Sequence, residues 1–287
     1  MHRTNRSALC LAAVLFLPLW LWAQAAPEST ATMKAANAAL AQTNYPEAIR
    51  IATILINADA KDHRAVFLRA TAYESAGDYA KALADYSAGL KLKPDTAFGY
   101  QNRGAVNFRL GQFAQSVTDF DKLIEMMPKQ APQLWQRGIS LYYAGRYEDG
   151  RKQFELHQTV NPHDVENAVW HFLCVARASG PAQARAALIP IQGDVRVPMM
   201  EVHALFAGKA KPAAVLAAAR AGEPAPAQLN DRLFYAHLYL GLYYEAMGDG
   251  KLAQEHIFKA ATEFKAPHYM GDVARVHAQV LRRKASP

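Results

Sequence analysis

The chain has 287 residues, of which 51% are hydrophobic and 20% charged, a balance that is typical of a folded protein and excludes a long disordered arm. Its formal net charge is +7, and the basic residues are spread along the chain apart from one terminal cluster at 282–284. Neither a basic face with stacking aromatics nor a nucleic-acid-binding motif accompanies this charge, so nucleic acid is excluded as an expected partner.

The first 25 residues have the pattern of a secretory signal peptide. Arg3 and Arg6 precede an unbroken apolar run over 8–22, and residues 23–25 offer alanines at the two positions that a signal peptidase recognises. The apolar run of ~15 residues is shorter than the ~20 that a spanning helix needs. We therefore expect 1–25 to be cleaved and the mature chain to be periplasmic or secreted. Membrane anchorage by an uncleaved leader is the alternative.

A 34-residue period organises the following part of the chain. Pro94, Pro128 and Pro162 each close a stretch with an aromatic-rich helix pattern, a glycine-containing turn and a second helix pattern. This period and content are the signature of the tetratricopeptide repeat, TPR. The predicted fold class is therefore an all-α, TPR-type solenoid of helix-turn-helix repeats. Four repeats are predicted within 29–164, at 29–62, 63–96, 97–130 and 131–164.

The register of the repeats also predicts ion pairs. An arginine occupies the seventh position of three repeats, and an aspartate occupies the twenty-third position of two of them. We expect the first helix to pair with the second through Arg69 and Asp85, and through Arg103 and Asp119. Arg137 has the same position without an equivalent aspartate. A row of anion-binding arginines is the alternative interpretation.

The pattern loosens after residue 164. A divergent helical section is predicted over 165–227, and a strong repeat followed by a capping helix over 228–287. Within these sections we expect helices near 165–178, 182–189, 198–207 and 212–221, a helix pair over 228–265, and a final helix over 268–284. The final helix is expected to pack on the last repeat and cover its exposed end.

The first helix of each TPR repeat lines the concave face of a solenoid, which makes that face the expected site for a protein or peptide. The inward-facing positions supply the candidate groove residues: Arg64, Phe67, Thr71, Phe98, Gln101, Phe108, Trp135 and Tyr142. TPR proteins that clamp a C-terminal carboxylate place Lys, Asn and Arg at such positions, so this largely aromatic set argues against that mode. The alternative is that some of these aromatics pack against a neighbouring repeat or the chain's own end.

Only one pair of residues invites a chemical interpretation. His171 and Cys174 are three residues apart on a predicted helix and share a face, so they could hold a metal ion or act as base and nucleophile. Their apolar neighbours favour packing instead. Without a phosphate-binding loop, a nucleophile elbow or paired carboxylates, we predict no catalytic residue, no metal site and no cofactor. An uncharacterised enzyme or metal-binding protein centred on 165–226 is the alternative.

Two stretches resemble the NlpI-type bacterial envelope lipoproteins: LWQRGISLYYAGR at 134–146 and FYAHLYLGLYYEAMGD at 234–249. The likeness extends loosely over residues 60–275 through the order of good and divergent repeats. The resemblance implies an all-helical, often dimeric, non-catalytic adaptor on the periplasmic side, with envelope proteases and cell-wall enzymes as partners. The leader departs from this family, because a lipoprotein cysteine follows the apolar run and Cys10 lies near its start.

Overall fold

The computed structural model of the chain describes residues 32–285, so the predicted signal peptide lies outside the described part. The described residues form helices without a strand, which confirms the predicted all-α solenoid. The helices are α1 (Met33–Ala41), α2 (Tyr45–Ala58), α3 (His63–Ser75), α4 (Tyr79–Leu92), α5 (Ala97–Arg109), α6 (Phe113–Met126), α7 (Trp135–Tyr143), α8 (Tyr147–Gln158), α9 (Val165–Ser179), α10 (Pro181–Ala186), α11 (Met199–Phe206), α12 (Pro212–Arg220), α13 (Pro226–Ala246), α14 (Gly250–Phe258) and α15 (Tyr269–Ala285). A 3₁₀ helix (Pro128–Gln133) precedes α7, and a π-helix (Lys259–Glu263) follows α14.

Consecutive helices from α1 to α8 pack as hairpins, and each hairpin also packs on the next. The same turn joins α3 to α4 and α13 to α14. Gly77 and Gly248 have φ values of +81° and +85°, which a residue with a side chain rarely adopts. The aspartate that follows each glycine caps the second helix, since its side chain accepts a hydrogen bond from a backbone N–H of the first turn. The glycine-aspartate pair therefore both ends one helix and starts the next.

Both predicted ion pairs are confirmed. Arg69 Nε lies 2.7 Å from Asp85 Oδ2, and Arg103 Nη2 lies 2.6 Å from Asp119 Oδ1. Arg137 bonds instead to Asp121 of the preceding repeat, with Nε 2.6 Å from Oδ1. These arginines hold neighbouring helices together, so they do not form the anion-binding row that was the alternative.

The fourth repeat departs from the predicted plan at its start. Two prolines, Pro128 and Pro132, bound most of the 3₁₀ helix, and α7 begins only at Trp135. Proline lacks an N–H and disfavours the α conformation of the residue before it, which accounts for the late start of α7. The first helix of this repeat has 9 residues, against 13 in α3 and α5.

The divergent section has the helices expected from the sequence, α9 to α12, within a few residues of the predicted bounds. Helix α9 is the centre of this section, because α7, α8, α10, α11 and α13 all contact it. An unbroken run of α9 residues, 167–175, is buried. The breakdown of the 34-residue period thus coincides with a helix that is enclosed rather than stacked between two neighbours.

The C-terminal helix α15 does more than cap the last repeat. It packs on α14 and the π-helix, as predicted, and it also contacts α5. The Tyr269 ring stacks on Phe108 with centroids 5.4 Å apart, and Asp272 Oδ2 accepts a hydrogen bond from Arg109 Nε at 2.7 Å. One hydrophobic core therefore runs from α5 through α9 and α13 to α15. No helix between residues 32 and 285 has the length and hydropathy to cross a bilayer.

Candidate functional site

The eight groove residues proposed from the sequence separate into two sets. Six line cavities on α3 and on the first halves of α5 and α7: Arg64, Phe67, Thr71, Phe98, Gln101 and Trp135. The other two, Phe108 and Tyr142, lie in the second half of their helices and are 0% and 5% exposed. Phe67 is itself only 3% exposed, so the two sets differ in whether the residue lines one of these cavities and not in burial alone.

Phe108 is covered by the chain's own C-terminal helix. Its ring stacks on Tyr269 of α15 and packs edge-on against Tyr143, with centroids 5.5 Å apart. Tyr142 packs edge-on against Trp170, and its hydroxyl accepts a hydrogen bond from Arg177 Nε at 3.2 Å. Burial raises the pKa of Tyr142 above its ordinary value. Phe108 and Tyr142 therefore pack within the chain, as the alternative interpretation of the aromatic set expected, and they do not line the groove.

The first of three adjoining cavities lies where α1, α3 and the start of α5 meet, and we call it the proximal cavity. Its volume is about 330 Å³. Phe98 of α5 is 47% exposed, whereas Phe67 beside it is 3% exposed, with ring centroids 4.9 Å apart. The lining residues are Met33, Asn37, Leu40, His63, Arg64, Phe67, Leu68, Thr71, Thr96 and Phe98.

The second, or central, cavity lies between α5 and α7 and has a volume of about 430 Å³. Its apolar wall includes Met127, which is 42% exposed at the end of α6. Four glutamines supply neutral amides that can donate and accept hydrogen bonds. The lining residues are Ala97, Phe98, Gln101, Leu123, Met127, Gln130, Gln133, Leu134, Trp135 and Gln136.

The third, or distal, cavity lies between α7, α8 and α9 and is bordered by Met270 of α15. Its volume is about 350 Å³. Aromatic and aliphatic side chains line it together with two acidic residues at the start of α9. The lining residues are Gln133, Trp135, Ile139, Phe154, His157, Val160, Asn161, Asp164, Glu166, Asn167, Trp170 and Met270.

Shared residues join the three cavities into one groove. Phe98 lines both the proximal and the central cavity, and Gln133 and Trp135 line both the central and the distal cavity. The resulting three-cavity groove crosses α3, the first halves of α5 and α7 and the start of α9. Its exposed Phe98 ring, apolar walls and neutral amides are suited to a chain that needs both apolar contacts and hydrogen bonds.

The sequence indicated the part of this groove that comes from the first helices and missed the rest. Met127 and Val160 lie at or just beyond the ends of second helices, and the glutamines Gln130 and Gln133 lie in the 3₁₀ segment. Their exposure is the signal that identifies them: Met127 is 42% and Val160 43% exposed, although both side chains are large and apolar. Exposure cannot be read from the repeat period.

The two ends of the groove differ in charge. At the proximal end Arg64 is exposed and pairs with Asp62. At the distal end Arg196 bonds to three carboxylates, those of Asp164, Glu166 and Asp194, so this cluster carries two net negative charges when all are ionised. Burial raises the pKa of Glu166, and the Arg196 guanidinium opposes that rise. An anionic ligand is therefore disfavoured at the distal end.

His171 and Cys174 are used in packing. Cys174 is fully buried, burial raises the pKa of its thiol, and its Sγ lies so close to Gly150 that an added Cβ there would be 2.8 Å away. His171 Nε2 lies 3.3 Å from Glu155 Oε1, and burial lowers the pKa of the imidazole. A neutral buried thiol is a poor nucleophile and metal ligand. Within residues 32–285, no group of three or more His, Cys, Asp or Glu side chains is arranged to hold a metal ion.

Comparison with known proteins agrees with this architecture. Residues 70–111 match the family model described as TPR repeat. The fold is a TPR solenoid. A tetratricopeptide repeat protein from Parabacteroides merdae superimposes with a TM-score of 0.57 at 14% identity, over 87% of this chain and 96% of that chain. The protein MamA superimposes with a TM-score of 0.51 at 14% identity, over 62% of this chain and 90% of that chain. At such low identity these likenesses show the TPR fold alone.

Proposed function

We propose that this TPR solenoid is a non-catalytic scaffold that binds an extended segment of a partner protein in the three-cavity groove. The observation that carries the proposal is the continuity of the groove, with the half-exposed ring of Phe98 between two of its cavities. An exposed aromatic ring next to joined apolar cavities is typical of a binding surface, since aromatic side chains contribute much of the binding energy of interfaces.

An extended peptide fits the groove better than a compact ligand. Each cavity measures about 330–430 Å³, at the low end of the range for small-molecule pockets, so each is suited to one or two side chains. The glutamine amides of the central cavity can bond to a peptide backbone without demanding a charge. The groove offers no cluster of Lys and Arg for a C-terminal carboxylate, because its one lining arginine, Arg64, pairs with Asp62.

The cellular location and the partner class belong to the same proposal. The basic and apolar leader with its small residues at 23–25 supports export across the inner membrane. The resemblance to the NlpI-type family supports a role in the bacterial envelope, with envelope proteases and cell-wall enzymes as partners and a homodimer as the assembly. Light scattering of the purified protein over a range of concentrations tests the homodimer.

A double variant tests the groove. Phe98→Ala with Trp135→Ala removes the two aromatic side chains that link the three cavities. We expect it to weaken binding of a peptide selected from a displayed library on the full chain by roughly thirtyfold or more, because loss of a central aromatic costs ~2 kcal/mol or more. Fluorescence anisotropy measures the Kd of the peptide for the unaltered protein and for the double variant. Capture of envelope proteins is compared between the same two proteins.

The matched control is Leu92→Ala. Leu92 is 40% exposed at the end of α4, and it lines none of the three cavities. We expect the control to bind the selected peptide as the unaltered chain does. A folded double variant that keeps the unaltered Kd and captures the same proteins would show that the groove is not the binding site.

A further inference from the structure

The ring of Phe67, which lines the proximal cavity, lies in a recess that two glycines make. A Cβ added at Gly89 of α4 would lie 2.6 Å from Phe67 Cε1, and one added at Gly99 of α5 would lie 3.0 Å from the same atom. Carbon atoms in favourable contact are about 3.5–4.0 Å apart, so a side chain at either position would press on the ring. The two glycines therefore let the ring sit deeper than it could beside alanine.

This recess sets the depth of the proximal cavity. Phe67 is 3% exposed, whereas Phe98 beside it is 47% exposed. The Phe67 ring also packs in one buried cluster with Tyr86 and Leu90, and the open space that it borders is the proximal cavity. A ring displaced from Gly89 is therefore expected to move into the cavity and make it shallower.

The recess belongs to the first of the three regular repeats. One and two 34-residue periods after Gly89, the corresponding residues are Leu123 and His157. These larger side chains line the central and the distal cavity themselves. The proximal cavity thus differs from the other two in having a glycine at this position.

The lining of the proximal cavity suits an uncharged apolar side chain. Met33 and Phe98 form part of its wall, and its volume of about 330 Å³ is enough for one large side chain. Among the described residues that line it none is acidic, and its one arginine, Arg64, pairs with Asp62, with Nε 2.9 Å from Oδ1. Phe67 and Phe98 pack edge-on, an arrangement that a further aromatic ring can extend.

We propose that the proximal cavity takes one long apolar side chain of the bound peptide, such as phenylalanine, and that Gly89 and Gly99 set its depth through Phe67. This inference rests on the proposed function, because it names the side chain that the scaffold recognises. The two glycines are positioning residues, since they act on the ligand through the Phe67 ring.

Three methionines report on the three cavities separately. Met33 lines the proximal cavity, Met127 the central one and Met270 the distal one. The test uses the full chain with ¹³C-labelled methionine methyl groups, and the spectrum of a Met33→Leu variant identifies the Met33 resonance. The probes are N-acetyl-phenylalanine-N-methylamide and the valine analogue, whose side chain is shorter. We expect the phenylalanine probe to move the Met33 resonance and to bind roughly tenfold more tightly than the valine probe.

Two variants change the depth of the cavity in opposite directions. Gly89→Ala pushes the Phe67 ring into the cavity, so it is expected to weaken binding of the phenylalanine probe by roughly tenfold and that of the valine probe by about twofold or less. Phe67→Leu removes part of the ring and deepens the cavity, so it is expected to increase the preference for phenylalanine over valine. A general loss of stability would weaken both probes equally and would leave the preference unchanged.

The matched control is Gly241→Ala. A Cβ added at Gly241 of α13 would lie 2.6 Å from Ile257 Cγ1, which is as close as the contact at Gly89, and neither residue lines the proximal cavity. We expect the control to bind both probes as the unaltered chain does. An unmoved Met33 resonance at the highest soluble probe concentration, or equal Kd values of the two probes for the unaltered chain, would overturn the inference whether or not the variants fold.

The outcomes also separate this inference from the proposed function. A library-selected peptide that depends on Phe98 and Trp135 but leaves the Met33 resonance unmoved removes the inference and leaves the scaffold function standing. A phenylalanine probe that moves the Met33 resonance, together with no peptide or protein bound along the groove, supports the side-chain pocket and removes the scaffold function.

Discussion

At the scale of single residues, glycines set how closely paired helices approach. A Cβ added at Gly138 of α7 would lie 2.6 Å from Phe154 Cζ of α8, and one added at Gly241 of α13 would lie 2.6 Å from Ile257 Cγ1 of α14. The Phe154 ring is 1% exposed and also lines the distal cavity. The close approach at Gly138 thus fixes both the packing of a repeat and one wall of the groove.

A methyl group at Gly138 is therefore expected to destabilise the protein. Gly138→Ala forces the enclosed Phe154 ring to move, and overpacking of this kind costs ~1–3 kcal/mol of unfolding free energy. Urea denaturation followed by circular dichroism measures the change. The control is Gly250→Ala at the start of α14, where an added Cβ meets nothing within 4 Å. We expect the control to be neutral or slightly stabilising, and a Gly138→Ala variant as stable as the control would contradict the argument.

The sequence allowed some residue-level contacts to be predicted and not others. The pairs of Arg69 with Asp85 and of Arg103 with Asp119 follow from the repeat register, because both partners belong to one hairpin. The burial of Phe108 does not follow from it, because the covering residue, Tyr269, belongs to a helix far along the chain. Periodicity specifies which positions face inward, and it does not specify what lies opposite them.

At the scale of elements, α13 and α14 meet through two buried histidines. The Nδ1 atoms of His237 and His256 are 2.9 Å apart, so one ring donates a proton and the other accepts it while both are neutral. Burial, with the proximity of His256, Lys259 and Arg220, lowers the pKa of His237 to about 4, and Glu255 opposes this. Burial also lowers the pKa of His256. Protonation of both rings would place two like charges in contact.

This pair predicts that acid destabilises the protein. A histidine with a lowered pKa takes up its proton in the unfolded chain first, near pH 6.5, and in the folded chain only near pH 4. The unfolded state binds more protons between these values, so the unfolding free energy falls as the pH falls from about 6.5 to about 4. At ~1.4 kcal/mol per pKa unit, the expected loss from His237 is at most about 3 kcal/mol.

Denaturation with urea at a series of pH values measures the effect, in the unaltered chain and in His237→Gln. The variant keeps a polar side chain that does not titrate, so its stability is expected to depend less on pH between 6.5 and 4. His163→Gln, a change at an exposed histidine, is the control and should keep the original pH dependence. Identical pH dependence in the His237→Gln variant and the control would show that the buried pair does not titrate as argued.

The sequence predicted the presence of the helices better than it predicted their lengths. The divergent helices α9 to α12 followed from the apolar pattern and the breakers Pro181, Pro198 and Pro212. The short α7 was not anticipated, because the 34-residue period suggested a start near 131, whereas the prolines Pro128 and Pro132 impose a 3₁₀ helix. A local steric restriction took precedence over the period, and it brought Gln130 and Gln133 into the groove.

At the scale of the whole molecule, α15 links the C-terminal end of the array to α5, in its middle. Repeat stacking alone joins each unit to its neighbours, so a sequence period predicts contacts near along the chain and none between α5 and α15. The structure adds that second kind of contact through Phe108, Tyr269, Arg109 and Asp272. This closure buries the second halves of α5 and α7, so on these two helices the three-cavity groove reaches only the first halves.

Arg109 is the polar centre of this closure. Its Nε lies 2.7 Å from Asp272 Oδ2 of α15, its Nη1 lies 2.6 Å from Glu74 Oε1 of α3, and its side chain is only 15% exposed. Arg109→Met keeps much of the apolar stem and removes the charge. Two largely buried carboxylates, those of Glu74 and Asp272, then lose the positive charge that they share. Each carboxylate keeps one other partner, since Asp272 still pairs with Arg275 and Glu74 still accepts a hydrogen bond from the Tyr86 hydroxyl. We therefore expect the unfolding free energy to fall by about 3 kcal/mol, the lower part of the range for broken buried ion pairs.

Hydrogen exchange both measures this loss of stability and shows which helices it affects. If Arg109 joins α15 to α3 and α5, the backbone amides of α15 should exchange faster in Arg109→Met, while those of α9 stay protected by their own enclosed core. Arg64→Met is the control, because the arginine of its ion pair with Asp62 is exposed and such surface pairs contribute little to stability. Unchanged exchange in α15 would mean that the aromatic stack of Phe108 and Tyr269 holds the closure by itself. In that case Tyr269→Ala, and not Arg109→Met, would release the helix and expose the second halves of α5 and α7.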